Sequence, residues 1–346
     1  MRYNKKKFGW VFLVFLVMSV LILGGSELCY YLHLAKGQLT LPFKPIPISA
    51  YVPENEEEQK CLAAIPQVLN FAKDLGLETE GSYERIFPDN QPLLWAVSAS
   101  YPDGLSPYRW YYPFLGRLGY RGYFNLGWAQ EEAADLRQRG FHVRVRPVHA
   151  WSTLGFFSEV LSPTMLSEGV GPMAETILHE LFHRWYYVSG EDAWNENLAQ
   201  HFGQHAALKF LKVRYGEESI AYQKYVVYLH DQQQWQSFLE AEAHSFYRHT
   251  GAFYLQPGDS VFWAIRSKAR RLPFLSKGKA MKVWQHHLPN LADFTTAKQY
   301  YQWSTFLNRD LALQHQGDLM KQMRFWKEKN ALPAMEEDEG QPTTPP

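Results

Sequence analysis

The segment ETILHELFHRWYYVSGEDAWNENLA, from Glu175 to Ala199, constrains this chain more than any other. Two histidines, His179 and His183, stand four residues apart, so in a helix both rings leave the same face. Glu180 follows the first of them, about 100° further round, where a carboxylate can reach a water beside a metal without binding the metal itself. Gly171-Pro172 suits a helix start and Ser189-Gly190 a stop. Asp192 then offers an N-cap for a second helix. If the two helices are antiparallel, the chain descends five residues from His183 to Val188, roughly 7.5 Å, and climbs four from Asp192 to Glu196, roughly 6 Å. Glu196 therefore returns near the level of His183. Two imidazoles and one carboxylate are a zinc donor set, and three protein ligands leave a fourth position open, as catalytic sites require. The expected ligands of one Zn2+ per chain are His179, His183 and Glu196, with Glu180 as general base of a metal-assisted amide hydrolysis. The plain alternative is two surface histidines on an amphipathic helix. Asn195-Glu196 at a workable spacing argues against it.

The rest of the composition narrows the class. Among 346 residues, 35 are basic and 35 acidic, and the basic ones are scattered apart from Lys5-Lys6-Lys7. Nothing in that balance points to a nucleic-acid partner. Two cysteines, Cys29 and Cys61, are too few for a disulfide framework or a thiolate zinc site. One bridge between them is compatible with a compartment outside the cytoplasm. At the N-terminus, Arg2 and Lys5 to Lys7 precede an apolar run from Phe8 to Leu23. The run is short for a spanning helix and long for a signal-peptide core. It reads as an uncleaved signal anchor over residues 8–25, with the N-terminus cytoplasmic and the body periplasmic on a bacterial inner membrane. Cleavage after Ser26 is the alternative. The expected organisation is therefore a basic stub and anchor over 1–26, one domain over 27–330, and an acidic, Pro-rich disordered tail over 331–346.

Along the body, residues 54–75 read as a helix, with Pro66 as a kink and Gly76 as its stop. Residues 92–100 and 108–116 look like strands, and YRGYF (120–124) leads into an amphipathic helix ending at Gly140. In 141–148, Phe141, Val143 and Val145 alternate with His142, Arg144 and Arg146, the period of a half-buried strand. Residues 151–162 read as a loop or edge strand. From Pro172 to about Lys329 the pattern is mostly helical. Strands and helices in the first half, helices in the second and no βαβ alternation give an α+β fold with a small mixed sheet.

The HELFH helix followed closely by an Asn-Glu helix resembles the gluzincin metallopeptidases. More narrowly, YRGYF, AADLRQRGFHVRVRPVHAWSTLGFF, TML, ILHELFH and WNENLAQHF resemble a bacterial family of predicted aminopeptidases, over about residues 30 to 215. The resemblance implies a zincin-like fold, an exported protein, His179, His183 and Glu196 as zinc ligands, Glu180 as the base and a peptide as substrate. Two departures stand out. Relatives of the thermolysin type carry an Asp four residues after the ligand Glu, which orients the first His, and here that position is Gln200. No Gly-x-Met-x-Asn motif, which binds a substrate's free amine in the large zinc aminopeptidases, is present, so endopeptidase action stays open.

Zinc peptidases also need a donor for the oxyanion. Tyr123, Tyr186, Tyr187, His244 and Tyr247 are candidates, each equally readable as a core or rim residue. Ser152 to Gly155 could pair with an extended substrate. Arg121 could bind a carboxylate or serve in a structural ion pair. His201 and His205 lack a Glu in the right place between them and read as solvated or packed. Two further functions compete with the peptidase: an inactive zincin-fold binding or scaffold protein of the cell envelope, and a structural envelope protein without metal.

Overall fold

The computed structural model describes residues 27, 29–37, 45–102, 104–112, 116–148, 159–249, 255–276, 282 and 284–330. Helix α1 (Glu56–Asp74) starts where expected, because the Asn55 side chain accepts from the Glu58 amide at 3.0 Å. Pro66 lies inside it, and Gly76, with φ +86°, follows its end. Short strands β1 (Ile46–Pro47) and β2 (Arg85–Ile86) pair antiparallel, and Ile86 bridges in parallel to Leu161. That bridge ties residues 82–87 to the chain just ahead of the histidine helix.

The main sheet has three antiparallel strands. Central β3 (Leu94–Ser100) lies between β6 (Tyr120–Tyr123) and β7 (His142–Val148), with Val97 opposite both Arg121 and Val145. The region read as one strand over 108–116 is instead a separate pair, β4 (Trp110–Tyr112) and β5 (Gly116–Leu118). Helix α2 (Leu126–Gln138) covers one face of the sheet, packing Ala129, Ala133 and Leu136 with Val97 and Val143. The opposite face meets helix α8 (Leu291–Tyr301). There Arg144 grips Asp293 with two guanidinium nitrogens, and Thr296 Oγ1 lies 3.2 Å from Ser98 Oγ. Because both faces are covered, the polar residues of β7 are only partly solvated: Arg144 and Arg146 are half-buried. His142 is fully buried, with Nε2 2.8 Å from the Leu255 carbonyl.

After the short helix α3 (Pro163–Ser167), the second half is helical: α4 (Val170–Trp185), α5 (Asp192–Tyr215), α6 (Ile220–His249), α7 (Ser260–Ala269), α8, α9 (Ser304–Leu313) and α10 (Leu319–Lys329). The α+β reading with a mostly helical second half therefore holds, but the sheet expected to be mixed pairs antiparallel at every strand among the described residues. The anchor does not. No helix among the described residues is long and apolar enough to cross a membrane. The two longest, α5 and α6, carry Asp192, Glu196, Lys209, Lys212 and Arg214, and Lys224, Asp231, Glu240, Glu242 and Arg248. This overturns the expectation of a single-pass inner-membrane protein with a transmembrane helix. The run over 8–25, to which that helix was assigned, and the tail over 331–346 lie outside the described residues.

The largest core lies between α1, α4, α5, α9 and α10. At its centre, Phe182 of α4 stacks on Phe202 of α5, with ring centroids 4.8 Å apart. Such a pair contributes about 0.5–1.5 kcal/mol beyond its area burial. The two helices close further because position 203 is glycine. A Cβ there would stand 2.9 Å from the Glu175 carbonyl oxygen and 3.2 Å from His179 Cβ. The obstacle is helix backbone, which cannot step aside. Behind α5, His201 is buried against α10, with Nε2 3.0 Å from Gln322 Oε1. Gln322 in turn donates to Asp310 and to the Leu307 carbonyl. His205 meets Asn308 Oδ1 at 2.9 Å. Both histidines are thus packed or bonded, as the sequence suggested. The two thiols are unpaired: Cys29 is exposed, and Cys61 is buried with Sγ 3.2 Å from the Leu166 carbonyl.

Two outcomes follow from this packing. Gly203→Ala is expected to destabilise the fold by about 1–3 kcal/mol through overpacking, read as a lowered unfolding midpoint. His201 supplies a pH dependence. Burial first, and His205 second, push its pKa down to about 3. A histidine held neutral in the fold contributes its stability in full above the ordinary value near 6.5 and loses it as pH falls towards about 3. Thermal melts between pH 7 and 4 are therefore expected to drop more steeply for the wild type than for His201→Asn.

Candidate active site

Helix α4 begins at Val170, with Gly169 at its N-cap in the left-handed region, φ +95°. It ends at Trp185, four residues before the stop read from Ser189-Gly190, because Tyr186 turns to extended backbone. Helix α5 begins at Asp192, whose side chain is not the cap. It accepts instead from Arg109 Nη1 and the Gly119 amide, both at 2.9 Å. The connection is held by Asn195. Its Oδ1 accepts from the Val188 amide at 2.8 Å, and its Nδ2 donates to the Val188 carbonyl at 2.7 Å. This clamp pins the loop to the first turn of α5, so the next residue, Glu196, faces α4.

The structure brings His179, His183 and Glu196 together. Their ligand atoms lie within 4.8 Å of one another, the only such group of potential metal donors among the described residues. The two imidazole Nε2 atoms are 3.1 Å apart. Glu196 Oε2 is 3.3 Å from His179 Nε2, and its Oε1 is 3.7 Å from His183 Nε2. Burial alone would raise the Glu196 carboxyl, but the two histidines outweigh it and hold it well below the usual carboxylate range. Burial opposes charging of His179, yet Glu196, Glu180 and Glu175 prevail and its pKa is raised. The donors form a mutually stabilised, anion-bearing cluster.

Glu180 is different. Its Oε2 is buried and has no hydrogen-bond partner among the described residues. Burial raises its pKa, against the pull of His179 and His183. A carboxylate moved up from its ordinary range is better matched to accept a proton near neutrality.

Around these four residues stand groups that sequence reasoning missed. Gln200 does not orient His179 as an Asp there would. Its amide donates to Glu175, one turn ahead of His179 on α4, and Glu175 also accepts from the Tyr225 hydroxyl at 2.7 Å. Glu175 thus joins Glu180 on α4 in favouring a charged His179, behind the larger effect of Glu196. On the other side, Glu159 Oε2 accepts from Ser82 Oγ at 2.7 Å and from Arg184 at 3.2 Å. Next to Ser82, Tyr83 is buried in the left-handed region, φ +56°, which costs a bulky residue about 1–3 kcal/mol. Local spacing gave a signal for Glu175 and Arg184, each four residues from a site residue on α4. Nothing local could have found Tyr83.

The proposed oxyanion donors fare unevenly. Tyr123 is buried beside the sheet, Tyr186 reaches the Trp326 carbonyl at 3.4 Å, and His244 is exposed. Tyr187 is the one with Glu196 and Asp192 among its electrostatic neighbours. Nothing is described of the Tyr247 side chain, and Ser152 to Gly155 lie outside the described residues. Arg121 is structural: it pairs with Glu27 through two 3.0 Å bonds and stacks over Tyr30.

No curated protein and no solved structure matches this chain. One family does, described as "Putative aminopeptidase", over residues 29–342. That range takes in both site helices, the sheet and nearly all of the second half, and the chain belongs to that family.

Proposed function

We propose that the chain is a zinc-dependent peptidase of the gluzincin type, with His179, His183 and Glu196 holding one Zn2+ and Glu180 acting as general base. The observation that carries this reading is the spacing of the donors. Zinc bonds of 2.0–2.2 Å in tetrahedral geometry need donor atoms roughly 3.3–3.6 Å apart. The two Nε2 atoms stand 3.1 Å apart, Glu196 brings Oε2 to 3.3 Å of one and Oε1 to 3.7 Å of the other, and one ligand atom from each residue lies within 4.8 Å of the others, near that span. Two neutral imidazoles and an ionised carboxylate are also the donor chemistry zinc prefers in catalytic sites. When bound, the ion would polarise the scissile carbonyl and make a water a strong nucleophile near neutral pH.

The chain's own residues would do the rest. Glu180 takes a proton from the attacking water and passes it to the leaving amine. With Oε2 buried in a half-buried side chain, its attraction to charge developing nearby is stronger than in bulk water. Tyr187, which has Glu196 among its electrostatic neighbours, is the tyrosine we assign as donor to the oxyanion. Family membership supports peptide bonds as the substrate class.

Elemental analysis of purified protein tests the metal. One zinc per chain is expected, with most of it lost in Glu196→Ala. Absence of zinc from folded wild type supplied with zinc would sink the reading. Glu180→Gln is expected to keep its zinc and to lower kcat on peptide substrates by about 10²–10⁴-fold. Full turnover in that variant would remove Glu180 from the mechanism. Hydrolysis of amino-terminally blocked peptides would exclude a strict aminopeptidase.

A further inference from the structure

Beside the donor cluster, a cavity of about 410 Å³ opens between β7, α5, α6 and α8. Its volume falls in the roughly 300–1,000 Å³ range of small-ligand sites. Gln200 connects the cavity to the cluster. It lines the cavity and stands one turn beyond Glu196 on the same face of α5, a rise of about 6 Å. Its amide is held by Glu175, one turn ahead of His179 on α4. Residues of an extended peptide advance roughly 3.3 Å each. A peptide whose scissile carbonyl meets the donor cluster therefore brings one of its next two residues to the cavity.

The walls select the occupant. Trp235 and Leu239 stand four apart on α6, and Ala297 and Tyr301 four apart on α8, so each pair shares one helix face. Trp284 meets Trp235 edge to face, with ring centroids 4.9 Å apart. Leu239 and Trp284 belong to a separate buried core, with Trp235 and Ala297 packed against it, so the apolar wall is a fixed surface. Trp284 also sits at φ +46°, a backbone that bulky residues rarely adopt, and such strain clusters at functional sites. The carboxylate in the lining, Asp293, is gripped by Arg144 and accepts from the Asn290 amide at 2.8 Å, so it does not call for a cation. Arg146, two residues beyond Arg144 on the same sheet face, adds positive charge to the lining. A basic side chain is thereby disfavoured, and an acidic one would lose its water against the apolar wall.

We propose that this cavity is the specificity pocket of the active site and takes a large apolar or aromatic side chain, such as Phe or Leu, from a peptide residue within two of the cleaved bond. Trp235, Leu239 and Trp284 supply the contact surface, and the small side chain of Ala297 leaves the room. Gln200, fixed by Glu175, sets the position of the pocket relative to the donor cluster. The inference rests on the peptidase reading of the neighbouring site.

The test gives the full chain alanine-based hexapeptides in which a single Phe, Glu or Lys is moved along the sequence, with cleavage followed by mass spectrometry. Phe at one fixed distance from the cut bond is expected to raise kcat/KM about tenfold or more over the all-Ala peptide, with no such gain from Glu or Lys. Ala297→Phe, which fills the cavity, is expected to lose that gain while keeping its zinc and its turnover of the all-Ala peptide. If Ala297→Phe does not fold, Trp235→Ala, which strips one wall, is expected to lose the gain instead. Equal rates for the Phe and Ala peptides overturn the proposal. So does a preference for Glu or Lys, or a Phe preference that survives in the folded variant. If wild type cuts none of the peptides, the peptidase reading fails, and calorimetric binding of the same peptides decides the pocket. Tighter binding of a Phe peptide that the variant loses supports it, and equal binding overturns it.

Discussion

The close approach of α4 and α5 is the constraint on which the rest of the molecule depends. Gly203 lets α5 settle against the Glu175 carbonyl and His179 Cβ, and the Phe182–Phe202 stack fills the space one turn away. With the axes drawn together there, Glu196 reaches two histidines on the neighbouring helix with a short side chain. The Asn195 clamp sets the rotation of α5 at its start, and Gly203 sets its distance further along. Two fixed points on one rigid helix determine where the carboxylate stands.

This packing concentrates buried charge, and most of it is compensated locally. Glu196 faces two histidines, Glu175 takes hydrogen bonds from Gln200 and Tyr225, and Glu159 takes them from Ser82 and Arg184. Glu180 is the exception. A buried carboxylate without full compensation is destabilising, and such groups concentrate where proton transfer is the task. The contrast between satisfied carboxylates and one unsatisfied neighbour separates residues that build the site from the one suited to act in it.

Much of this was legible in the sequence because it is local. The His179–His183 spacing, the turn after α4 and the return of Glu196 all follow from helix geometry over about twenty-five residues. The limits of α4 and the role of Asp192 were not, since they are set by partners elsewhere. Asp192 is drawn from capping to Arg109 and the Gly119 amide, and Tyr186 leaves the helix with its hydroxyl near the Trp326 carbonyl. In β7 the alternation was read correctly but the polar face is half-buried rather than solvated, because α8 supplies Asp293 to Arg144. The transmembrane helix was read from composition and position alone, and no described helix has its character. The surroundings of Glu180 stayed hidden for a different reason. Ser82 and Glu159 meet Arg184, one turn beyond it, across separations that no periodicity records.

That difference in range bears on how the site assembles. The donor cluster is contained in one helical hairpin, whose closure costs little chain entropy and is fast. Arg184, one turn beyond Glu180, meets Glu159, 25 residues back, and Ser82, 102 residues back, and the longer of these closures comes later in folding. A nascent or partly unfolded chain can thus bring His179, His183 and Glu196 together before Glu180 has its surroundings. Competence for proton transfer would then mark completion of the whole fold, and a half-folded copy would be poorly equipped to cut the chains around it.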